Sequence, residues 1–168
     1  MALLFFHGAG GYDDDLPLAS GIAAALGTEL IYPALPTDDW GYEDWAAPIR
    51  RRVDAVAPDD LVVAHSFGAS VLLRVLAERP RTHPARAVLL AMPEWSEAGW
   101  DVADYAFRGP EPATTLSLHH CRDDDVVPFE HIARNAALLP SATRHEHAVG
   151  GHQFDGLAAV IAVDVAPA

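Results

Sequence analysis

Residues 61–70 read LVVAHSFGAS. The apolar run LVVAH has the composition of a strand covered on both faces, and GASVLL beyond it has the composition of a helix. Between them stands Ser66, flanked by small residues at 64, 68 and 69. The arrangement approximates G-x-S-x-G, in which a strand–turn–helix junction forces a serine into a sharp turn with its hydroxyl exposed. Here the pattern is Ala64-His65-Ser66-Phe67-Gly68, with alanine for the first glycine. Two readings of this stretch stand side by side: Ser66 is a nucleophile, or it caps the helix that follows. The rest of the chain must decide between them.

The same alternation runs through the sequence. Strands are expected at about 2–6, 29–32, 61–65, 86–91, 114–120 and 143–148, and helices at about 14–26, 42–57, 67–79, 129–139 and 153–164. Pro80 and Pro140 stop the third and fourth helices. The connection 92–112 is irregular and rich in Pro, Trp and Gly. Strands alternating with helices predict βαβ units: a single-domain, three-layer α/β/α sandwich over 1–168, with a six-stranded, mostly parallel sheet. In such sheets ligands bind beyond the carboxyl ends of the strands, so candidate site residues should follow strands.

They do. A serine nucleophile needs a base, usually histidine, oriented by a carboxylate. After the fifth strand comes CRDDDVVPFEH, and after the sixth comes VGGHQFDG. His152 is the expected base, against the alternative of an exposed loop histidine. Of the three adjacent acids one is expected to turn inward; Asp124 is taken, with Asp123 and Asp125 as alternates. Acyl transfer also needs N–H donors for a developing oxyanion. Phe67, after the serine, supplies one, and Ala9 in the loop HGAGG (7–11) supplies a second. That loop lacks the G-K-[ST] element of a phosphate loop and is followed by three acids, so a nucleotide site is set aside.

Taken together, FFHGAGG, VVAHSFGAS, RDDDVVPFEH and VGGHQF make the chain resemble the α/β-hydrolase superfamily. Within it, the chain is similar to the small lidless serine hydrolases of the retinoblastoma-binding-protein-9 and YdeN type. The resemblance implies a Ser66–Asp124–His152 triad, with the acid four residues before Pro128 and the base in a G-H-x-F turn. It also implies a minimal fold beginning at what would be the third strand of a full-length member. Ala64 departs from that pattern. The implied activity is hydrolysis of small esters or related acyl compounds without a cofactor; the competing expectation is a non-catalytic binding protein on the same fold.

Other features are weaker. His65 should point away from Ser66 and serve structure. His7 is expected to order the glycine loop and border the substrate. Trp95, Trp100 and Phe107, in the irregular connection, are expected to wall an acyl pocket, with core packing as the alternative. Trp40 and Trp45 are rim or core. HHC at 119–121 and HEH at 145–147 invite a metal reading, but no further ligand cluster completes it, so no metal is expected. The acidic run 13–15 reads as a solvated loop.

Bulk properties narrow the partners. The formal net charge is −13 and the pI about 4.8, a field that repels nucleic acid and anionic membranes. One cysteine, Cys121, leaves no internal disulfide and fits a reducing compartment. With no basic leader and no apolar run of spanning length, the expectation is a cytoplasmic protein acting on a small molecule, as monomer or homodimer.

Overall fold

A computed structural model describes residues 1–36, 41–78 and 84–166. Trp40 and Pro80 lie outside them. The elements run β1 (Ala2–Phe6), α1 (Leu16–Leu26), β2 (Glu29–Ile31), α2 (Tyr42–Asp54), β3 (Leu61–His65), α3 (Ser66–Ala77), β4 (Arg86–Leu90), β5 (Thr115–Cys121), α4 (Glu130–Leu138), β6 (Thr143–His147) and α5 (Ala158–Val165). Every strand pairing is parallel, in the order β2-β1-β3-β4-β5-β6.

Strand alternation divides the apolar side chains between two cores. Leu4, Phe6, Val62 and Leu89 face α2, α3 and α4, with Trp45 and Ile49 packed among them. Leu3, Phe5, Val63 and Val88 face α1 and α5. Trp45 is therefore core, at 1% exposure. A sheet buried on both faces explains why β1, β3 and β4 read as unbroken apolar runs. The edge strand β6 is different: its sequence TRHEH is polar, and Glu146 pairs with Arg122 and Arg144. Charge along an exposed edge discourages pairing with another chain.

The order places β2 on one side of β1 and β3 on the other, so the chain reverses direction across the sheet between β1 and β3. That switch opens a crevice at the carboxyl ends of these two strands. It is where the 7–11 loop and Ser66 emerge.

One helix is shorter than its sequence suggests. Residues 153–156 form turns, and α5 begins only at Ala158. Phe154 at φ 55° and Gly156 at φ 77° are left-handed and cannot belong to a right-handed helix. The extra residues lengthen the loop carrying His152.

Candidate active site

Ser66 has φ 51°. A side chain in this region is strained by roughly 1–2 kcal/mol, and such strain persists only where the surroundings impose it. Here the imposition comes from close packing of α3 on the end of β1. A Cβ at Gly68 would lie 2.3 Å from the His7 carbonyl oxygen, so no larger residue fits. The Ala64 methyl, by contrast, is fully buried in the core without disturbing this junction. Ser66 also abuts the glycine loop: a Cβ at Gly8 would lie 3.0 Å from Ser66 Cβ and 3.5 Å from its Oγ. The serine hydroxyl makes no hydrogen bond among the described residues. Links of this kind often tighten only when substrate binds.

The acidic triplet divides its work. Asp124 has no exposed side-chain surface, and its oxygens lie 2.9 and 3.1 Å from His152 Nδ1. Its Oδ1 also accepts the N–H groups of Val126 and Val127 at 2.9 and 2.8 Å. Burial works to raise its pKa, but hydrogen bonds from His120, His152 and Val127 outweigh it and hold the carboxyl well below the usual range. Asp123 faces the His152 loop instead, accepting from Gly150 N–H and Gly151 N–H at 3.2 and 2.9 Å. Asp125 is exposed. With a carboxylate on Nδ1, the His152 tautomer carries its proton there and leaves Nε2 as a free base.

His65 joins these loops. Its Nδ1 lies 2.8 Å from Asp15 Oδ2, and its Nε2 lies 2.9 Å from the His152 backbone carbonyl. The His65 and His152 rings sit 4.5 Å apart between centroids. His152 is thus held beside the residue immediately before Ser66.

Asp15 corrects the reading of its acidic run as solvated: Asp13 and Asp14 are exposed, but Asp15 has no exposed surface. It occupies the cap position of α1 without capping it. Its Oδ2 accepts Gly8 N–H at 2.7 Å as well as the His65 proton, tying the glycine loop to the strand end before Ser66. Burial raises its pKa, yet the His65 hydrogen bond and the Gly8 N–H bring the net shift below the usual value. The available signal was position, since the third acid directly precedes Leu16-Pro17, where a helix begins.

His7 orders the loop but does not border a cleft. It has no exposed surface, Nδ1 donates to Gly8 O at 2.7 Å, and Nε2 accepts Leu35 N–H at 2.9 Å. Burial lowers its pKa, in keeping with a neutral ring that accepts at one nitrogen. Ala9 N–H, one turn on, has no acceptor among the described residues.

The aromatic residues of 92–112 gather around Phe67. Tyr105 and Trp95 meet it at 5.0 and 5.8 Å, and Trp95 Nε1 donates to Ser70 Oγ at 2.8 Å. Trp95 and Phe107 line a small crevice with Leu73, Met92 and Leu138. Trp100 packs on the far side of Trp95 and against His131, with 38% of its surface exposed. No helix forms between β4 and β5.

The fold has counterparts among known proteins. The model of a family described as serine hydrolase matches residues 32–154. No curated protein matches the chain in sequence. Among solved structures, the ydeN gene product of B. subtilis aligns with a TM-score of 0.74 at 18% identity, covering 98% of this chain and 97% of that one. A putative YdeN-like hydrolase from Pectobacterium atrosepticum gives 0.71 at 16% identity, covering 99% and 92%. A methylesterase from Arabidopsis, MES16, gives 0.71 at 12% identity, covering 98% and 96%. No helix is long and apolar enough to cross a membrane among the described residues. With its switch-point serine and an all-parallel six-stranded sheet, the chain belongs to the serine hydrolase family and has the α/β-hydrolase fold.

Proposed function

We propose that the protein hydrolyses small carboxylic esters or related acyl compounds through an acyl-enzyme on Ser66. His152 Nε2 takes the Ser66 proton as the hydroxyl attacks the carbonyl carbon, and returns it to the departing alcohol. A water then attacks the acyl group, with the same histidine as base, and Ser66 is regenerated. Asp124 keeps the proton of the resting imidazole on Nδ1 and stabilises the imidazolium. The N–H groups of Phe67 and Ala9 receive the oxyanion, and the N-terminal end of α3 favours the same charge. Trp95 and Phe107 border the acyl chain. No cofactor enters these steps, and the substrate is a small molecule met in the cytoplasm.

The observation that carries this reading is the paired contact of buried Asp124 with His152 Nδ1, on a loop tethered to the residue before a strained serine. A fluorophosphonate probe tests it. One equivalent should label wild type, and none should label Ser66→Ala. Inert but folded wild type would favour a binding protein on a hydrolase fold. The methylesterase among the structural neighbours makes methyl esters the first substrates to try. A series of p-nitrophenyl esters of increasing acyl length would then show the pocket depth as a cut-off.

A further inference from the structure

Beneath α5, on the sheet face opposite α4, lies a histidine cluster that the hydrolase chemistry does not use. Parallel pairing sets His119 of β5 directly beside His145 of β6. Their rings stack with centroids 4.4 Å apart and planes inclined by 15°. Sequence spacing alone supplied these histidines but no third ligand. The fold supplies it: Asp164, the one acid in α5, reaches between them. Its oxygens lie 3.1 Å from His119 Nε2 and 3.5 Å from His145 Nε2. The three donor atoms lie within 4.8 Å of one another. His145 Nε2 is buried and makes no hydrogen bond.

We propose that His119, His145 and Asp164 form a binding site for a divalent transition metal, with Zn²⁺ as the best-matched ion. Two imidazole nitrogens and a carboxylate oxygen, completed by water, are a donor set that zinc accepts in tetrahedral geometry. Zinc–ligand bonds of about 2.0–2.2 Å need donors that nearly touch one another. From donors as far as 4.8 Å apart, an ion would draw the three together and splay the stacked rings so that both in-plane lone pairs meet it, giving the His145 nitrogen a bond in place of its missing hydrogen bond.

The surroundings also fit. His147 Nε2 lies 3.0 Å from His119 Nδ1. Without metal, His119 Nε2–H donates to Asp164 while Nδ1 accepts from His147. With metal on Nε2, the His119 proton sits on Nδ1 and is donated to His147. One hydrogen bond therefore orients the ligand in either state, as outer partners of metal-bound histidines do. A bound ion would join β5, the edge strand β6 and α5 at one point. This site is independent of the proposed esterase chemistry, and binding is measured directly on the full chain.

The test is calorimetric titration of the chelator-treated protein with Zn²⁺, with thermal unfolding followed in parallel. Wild type should bind one equivalent at this site and melt at a higher temperature when zinc is present. His145→Asn, on the partly exposed edge strand, should keep the fold and lose that binding and the thermal shift. His147→Gln should weaken binding by roughly 10–100-fold, and loss of a ligand should weaken it more. His152→Ala should bind as wild type does, which separates this site from the catalytic histidine. Absence of zinc binding, or undiminished binding and thermal shift in His145→Asn, would overturn the proposal.

Discussion

Asp15 and His65, 50 residues apart, meet through a 2.8 Å contact in which neither side chain is more than 1% exposed. This pair holds the glycine loop, through Gly8 N–H, to the strand end that delivers Ser66. Breaking a buried pair by removing one partner costs about 3–5 kcal/mol. Asp15→Ala should therefore show a loss of that order in urea unfolding. Asp15→Asn keeps the shape and should stay folded, yet the loosened loop should lower kcat on the order of 10- to 100-fold. An unchanged kcat in folded Asp15→Asn would show that the pair serves stability alone.

Strain at Ser66 has its own signature. Ser66→Ala and Ser66→Gly should both be inactive, but glycine adopts φ 51° freely. The glycine variant should be more stable than the alanine variant by about 1 kcal/mol. Equal midpoints in denaturant would mean that the turn is not under tension.

Asp124→Asn tests the orienting acid. An amide there can favour the wrong imidazole tautomer, placing the proton on Nε2. Hydrolysis should drop by about 10⁴-fold with the fold retained. A loss of only a few-fold would move the orienting role to another group.

Acid should destabilise the protein before its carboxylates titrate. His7 and His131 are buried and each accepts a backbone N–H, from Leu35 and Glu94, at one ring nitrogen. Burial holds both pKa values below the ordinary one. As pH falls below about 6.5, the unfolded chain binds protons that the folded chain refuses. Stability should then fall by up to about 1.4 kcal/mol per pH unit for each histidine, down to its folded pKa. Asp15 and Asp124, with folded pKa values below normal, extend the loss further below about pH 4. His131→Gln should flatten the slope between pH 6.5 and 5; an unaltered slope would remove His131 from the account.

The architecture was legible because both faces of the sheet are buried: β1, β3 and β4 announce themselves as apolar runs, and the helices fall between them. That Ser66, Asp124 and His152 each follow a strand was legible from the same alternation. What the chain could not display was contact between residues distant in sequence. Asp15 resembled its solvated neighbours: its place just before Leu16-Pro17 marked a helix start, but nothing local showed that its partners are Gly8 and a strand end 50 residues away. Asp164 was hidden for the same reason, although a lone carboxylate in the apolar stretch AVIAVDV was a clue. The start of α5 was misplaced because left-handed turns at Phe154 and Gly156 leave little trace in composition.

The grip of His65 on residue 152 is made through a main-chain oxygen, which every amino acid possesses. The imidazole at 152 can therefore be exchanged without releasing its loop from the strand beneath. A variant lacking that ring should keep the shape of the cleft and lose turnover, making it a suitable bait for retaining an uncleaved natural ligand.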